Sequence, residues 1–77
     1  MVKIIAAEPC ADYSIKVKLD NGKSGVFDVK PFIEKGIFTE LKDEGYFRQI
    51  QINGRSISWP NEQDFSADTI EALMMSE

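Results

Sequence analysis

The sequence predicts an α+β fold: a small antiparallel sheet of about five strands, in the order β-β-β-α-β-β-α, with helices packed on one face. Three observations carry this expectation. Asn-Gly occurs twice, at Asn21-Gly22 and Asn53-Gly54, each time between alternating apolar residues, as hairpins require. Two short stretches between these hairpins end on glycine, at Gly36 and Gly45. A last stretch, "FSADTIEALMM", opens on a helix cap and repeats apolar residues at helical spacing. With 77 residues there is room for one core, so residues 1–77 read as a single domain.

In chain order, "VKIIAAE" (residues 2–8) reads as a first strand that Pro9 ends. "YSIKVKLDNGKSGVFDVK" is the first hairpin. Tyr13, Ile15, Val17 and Leu19 share a face of one arm, and Phe27 and Val29 share a face of the other. A two-residue turn would set Ile15 against Asp28. A three-residue loop, Asp20-Asn21-Gly22 with Gly22 at positive φ, instead sets Ile15 against Phe27 and Tyr13 against Val29. "DVKPFIEKG" reads as a helical turn begun by Pro31 and stopped by Gly36. "FTELKDEG" reads as a second short helix, with Phe38 and Leu41 inward and Gly45 ending it.

In "FRQIQINGRSISW", Ile50 and Ile52 must share a face with Ile57 and Trp59. A two-residue Asn53-Gly54 loop achieves this by pairing Ile52 with Arg55 and Ile50 with Ile57. Pro60 then interrupts the ladder, because it has no N–H to donate. Ser66 is suited to cap the last helix, and Asp68 in its first turn suits the helix dipole. Phe65 and Ile70 form a hydrophobic staple across that cap. Ala67, Ile70, Leu73 and Met74 make the expected buried stripe.

Composition narrows the function classes. Histidine is absent, which removes imidazole bases, His-dependent triads and most zinc sites. Cys10 is the sole cysteine, so no internal disulfide forms and a reducing compartment is expected. The net charge is -4, and no run of bases reaches three, so no basic stripe offers itself to phosphates. Direct nucleic-acid binding is therefore not expected, and a basic protein partner fits the charge better. No apolar run approaches a membrane span or a secretion signal, which places the expected protein in the cytoplasm. It is expected to be a monomer or weak homodimer, and neither a cofactor nor an enzymatic activity is expected.

The stretch that most invites a functional reading is Trp59-Pro60-Asn61 with Asp64. Trp59 is in phase with Ile57 and is expected in the core; the competing reading is an exposed anchor for a partner. Asn61 and Asp64 are expected to cap the turn through nearby backbone N–H groups. Asp64, Asp68 and Glu71 could crowd around a magnesium ion near the helix start but lack any phosphate-binding loop or partner lysine, and dipole complementarity explains Asp64 and Asp68 better than a metal ion does. "DNGKSG" lacks the spacing of a phosphate loop. Glu34, Glu40, Asp43 and Glu44 read as a solvated acidic face, with docking of a basic partner as the alternative.

The chain resembles domain-of-unknown-function family 2442 over about residues 2–74. The matching pieces are "VKIIAAEP", "YSIKVKLDNGKSGVFDV", "GIFTELKDEGYFRQI" and, most specifically, "ISWPNEQDFSADTIEAL". The last corresponds to the family's Trp-Pro-Asn-Gly-x-Asp motif followed by a helix. The family commonly has Gly where this chain has Glu62, a departure that argues against a positive φ at this turn, since a Glu there would be strained. The resemblance implies a non-enzymatic accessory protein of similar α+β fold. It further implies an antitoxin-like member of a two-gene pair, whose partner is a small protein encoded nearby, of domain-of-unknown-function family 4160; that this partner is basic is the expectation from the charge alone. The alternatives are an accessory transcriptional regulator that reaches DNA through a partner complex, and a structural or small-ligand domain.

Overall fold

Alternation along residues 14–29 builds the first sheet, in a computed structural model that describes residues 2–76. Met1 and Glu77, the ends of the expected 1–77 domain, lie outside the described residues. Strands β1 (Ile4–Cys10), β2 (Ser14–Leu19) and β3 (Ser24–Asp28) form an antiparallel meander, with Ile15 opposite Phe27 as expected. Leu19 N–H donates to Lys23 O at 2.9 Å and Gly22 N–H to Leu19 O at 3.2 Å, closing the three-residue loop 20–22. Gly22 sits at φ +89, which glycine adopts without steric cost.

Pro9 does not end β1. The strand runs on to Cys10, with Pro9 opposite Ile15. It can do so because β1 is an edge strand, where the missing N–H is not asked for. A bulge between Ile4 and Ala6 shifts the face, so that Ile4 and then Ala7 lie opposite the core residues Leu19 and Val17, while Ile5 is left exposed.

The single sheet of about five strands is not what forms. Among the described residues there are two antiparallel sheets, so the α+β class holds but the sheet divides. Met75–Ser76, here β7, completes the first sheet against β3; β4 (Gln51–Ile52), β5 (Ser56–Ser58) and β6 (Asp64–Ser66) make the second. Neither β6 nor β7 is foreseen in the order β-β-β-α-β-β-α, because each has three residues or fewer and no visible alternation of its own.

The second hairpin keeps its expected faces but not its expected register. Ile52 pairs with Ile57, not with Arg55, and Asn53 N–H donates to Ser56 O at 3.1 Å. The turn is thus Gly54-Arg55, with Gly54 at φ +85 in the first central position, where two-residue loops take glycine. The faces survive because a slip of two residues preserves strand parity. Tertiary contacts favour the slipped form: Gly54 O accepts from Ile4 N–H and Arg55 O from Ala67 N–H, both at 2.7 Å, so the turn joins the two sheets.

Between the hairpins, residues 30–35 form successive turns, with Phe32 N–H donating to Val29 O and Lys35 N–H to Phe32 O. Gly36 has the expected positive φ, +48. A 3-10 helix, Gly36–Lys42, follows, then a single α-turn, α1 (Glu44–Phe47). Gly45 lies inside α1 and does not end it; its N–H is capped by the Asp43 carboxylate at 2.9 Å. The last helix, α2 (Ala67–Leu73), is capped by Ser66 as expected, its Oγ accepting from Thr69 N–H at 3.2 Å.

Ala67 and Ile70 are buried and Met74 packs against the core, but Leu73 is 52 % exposed. At roughly 100° per residue, Ala67, Met74 and Ile70 fall within about 60° of one another and Leu73 lies about 60° beyond them. Phe65 of β6 ties the two sheets together, its ring meeting Phe27 of β3 at 5.0 Å and Phe32 at 5.1 Å.

Candidate functional site

The Trp-Pro-Asn stretch turns out to be a hairpin loop. Trp59 N–H donates to Gln63 O at 2.9 Å and Glu62 N–H to Trp59 O at 3.1 Å, enclosing Pro60, Asn61 and Glu62. Pro60 fits because its fixed φ suits the first position of a turn. Contrary to what a Glu at this position suggests, Glu62 closes the loop at φ +74, the left-handed conformation that a Gly would adopt without strain.

Trp59 itself is 2 % exposed. Its Nε1 donates to Phe47 O at 2.9 Å, satisfying the indole and tying the loop to α1. The ring stacks on Phe47 at 6.0 Å and meets Phe65 edge-on at 5.9 Å. It belongs to the core.

Around this loop four residues form a closed ring of hydrogen bonds. Tyr46 O–H donates to Gln63 Oε1 at 2.6 Å, and Gln63 Nε2 donates to Glu40 Oε1 at 3.1 Å. Asn61 Nδ2 donates to Glu40 Oε2 at 2.7 Å, and Asn61 N–H donates to Tyr46 Oη at 2.9 Å. Gln63 Nε2 also donates to Ile37 O at 2.7 Å. Both partners of Nε2 are acceptors, which fixes the orientation of the amide. Gln63 has no solvent exposure, and among the described residues it is the polar side chain buried in the core. A buried amide without partners would be costly; here each polar atom has one.

The expected roles therefore change. Asn61 does not cap its own turn but reaches across to Glu40. Asp64 is exposed in β6 opposite Ser58, and among the described residues its carboxylate makes no hydrogen bond; Ser66 does the capping. Asp64 is not joined to Glu71, which holds Asn21 Nδ2 at 2.7 Å and Lys23 Nζ at 3.5 Å. The acidic face is partly engaged as well: Glu34 pairs with Lys42 at 3.0 Å, Asp43 caps α1, and Glu40 belongs to the ring.

Tyr46 and Gln63 were not singled out from the sequence, and Glu40 was read only as part of the acidic face. Gln63 had one available signal, since Ile57, Trp59, Gln63 and Phe65 all point inward once the loop is recognised.

Open space lies elsewhere. A hollow of about 580 Å³ on the outer face of the first sheet is lined by Ala6, Glu8, Lys16, Lys18 and Ser24 among others. A smaller one of about 100 Å³ adjoins Cys10, Tyr13, Phe47 and Arg48. Neither touches Trp59, Pro60, Asn61 or Asp64. Among the described residues, no helix is long and apolar enough to cross a membrane.

The sequence matches the family described as protein of unknown function (DUF2442) over residues 4–75, and the chain belongs to that family. No curated protein and no solved structure matches it.

Proposed function

We propose that this DUF2442 chain is a non-enzymatic, cytoplasmic protein-interaction module, the antitoxin-like member of a two-protein pair. The observation that supports this reading is Ile37. Its carbonyl anchors the buried Gln63 amide at 2.7 Å, yet its side chain is 59 % exposed. A large apolar side chain held on a rigid element, with the Glu40 carboxylate one turn further on, has the form of a docking anchor with an acidic rim. This half of the chain also carries the charge, since residues 30–76 hold eight acids against five bases. A basic partner is steered toward such a surface. The family resemblance adds a small protein encoded nearby as the candidate partner.

Co-expression with the neighbouring gene product, followed by affinity capture, tests the reading. The expected result is a complex that Ile37→Asp abolishes while the melting curve of the free chain stays in place. Failure of the wild-type pair to associate at micromolar concentrations would sink it.

A further inference from the structure

We propose that Asn53, and not Asn21, is a site of spontaneous deamidation in the folded protein. Both asparagines are exposed, and both precede a glycine beside which a Cβ would meet nothing within 4 Å. The dipeptide and the open space beside its glycine are therefore shared, and hydrogen bonding makes the difference.

The reaction forms a bond from the glycine amide nitrogen to the asparagine Cγ. It breaks the bond from Cγ to the side-chain nitrogen, which leaves as ammonia with the proton lost by the glycine amide. Water then opens the cyclic imide at either carbonyl, giving aspartate or isoaspartate. The attack requires a free glycine N–H and is aided by a donor to the Asn Oδ1, where negative charge develops.

Asn53 meets both requirements. Among the described residues the Gly54 N–H has no acceptor, and the Ser56 hydroxyl donates to Asn53 Oδ1 at 2.5 Å. Asn21 also has a donor to its Oδ1, but it fails the first requirement. The Gly22 N–H is held by Leu19 O at 3.2 Å. The Asn21 amide is held at both ends, Oδ1 accepting from Lys23 N–H at 3.0 Å and Nδ2 donating to Glu71 at 2.7 Å. Reaction at Asn21 must first free the Gly22 N–H from Leu19 O and the Asn21 Nδ2 from Glu71, and neither contact has a counterpart at Asn53 among the described residues.

The position gives the reaction a structural consequence. Isoaspartate adds a carbon to the main chain immediately before Gly54, whose carbonyl accepts from Ile4 N–H across the junction of the two sheets.

The test incubates the full chain in mildly alkaline buffer and follows each Asn-Gly peptide by mass spectrometry, natively and in concentrated urea. The expected result is deamidation at Asn53 roughly tenfold or more faster than at Asn21 in the folded protein, with the gap closing in urea. In a Ser56→Ala chain, shown folded by circular dichroism, the rate at Asn53 falls severalfold. Equal rates at the two sites in the native chain, or a faster Asn21, overturn the proposal, and this comparison does not depend on any variant folding.

Discussion

Two loops in this molecule have the same hydrogen bonds and opposite origins. Loop 20–22 closes Leu19 onto Lys23, and loop 60–62 closes Trp59 onto Gln63; in each, the third loop residue donates to the carbonyl of the residue preceding the loop. The third residue is Gly22 at φ +89 in one and Glu62 at φ +74 in the other. The first loop uses the residue that its geometry prefers, and its tertiary ties are on the surface, from Asp20 to Lys3 and from Asn21 and Lys23 to Glu71. The second loop holds a non-glycine in a strained conformation, and beneath it lie a buried tryptophan, a buried glutamine and a closed ring of polar contacts. Local preference is sufficient for the first turn. Tertiary structure imposes the second.

The comparison breaks most readily at Trp59. Trp59→Ala removes a core ring and leaves Phe47 O without its donor, and is expected to cost about 3–5 kcal/mol in urea unfolding. A loss under about 1 kcal/mol would mean that the indole does not hold the loop. Next comes Gln63→Leu, similar in size but apolar. It leaves Ile37 O without its donor and the Tyr46 O–H without its acceptor, with Asn61 still bonded to Glu40 and to the Tyr46 oxygen, and is expected to cost roughly 2 kcal/mol. No change on the same measurement would show that water replaces the ring.

The loops themselves give smaller effects of opposite sign. Gly22→Ala meets no steric obstacle, so its expected loss of about 1–2 kcal/mol comes from the left-handed backbone alone. Glu62→Gly relieves the same conformation. Its expected gain is about 1 kcal/mol, reduced by the extra freedom glycine has when unfolded. If Glu62→Gly destabilised the chain instead, the claim that the second loop carries strain would be wrong.

What could be read in advance follows the same division. The first hairpin was legible down to its register, because Ile15 and Phe27 must face each other and Gly22 lies where that pairing needs it. The second was legible in its faces only. Parity sets which side Ile52 and Ile57 occupy, but bonds from Ile4 and Ala67 to the turn choose between registers two residues apart. The division into two sheets was hidden for a related reason, since β6 and β7 are too short to declare themselves and depend on partners remote in sequence. At the candidate site, the burial of Trp59 was visible from its phase with Ile57. The ring of Glu40, Tyr46, Asn61 and Gln63 was not, because it joins three elements and uses ordinary polar residues.

The smallest expected effect separates the two polar members of the Trp-Pro-Asn…Asp stretch. Asn61 is built into the ring, whereas Asp64 stands exposed on β6 with no hydrogen bond to its carboxylate among the described residues. If Asp64 capped the turn, Asp64→Ala would cost on the order of 1 kcal/mol. With Ser66 already capping α2, the change is expected to stay within about 0.5 kcal/mol, as for an ordinary surface site. The informative measurement is therefore the same variant in the capture assay with the basic partner. Weaker capture at unchanged stability extends the docking surface from Ile37 and Glu40 across the loop to β6. Unchanged capture confines it to the 3-10 helix side, and leaves the loop the task of holding that helix in place.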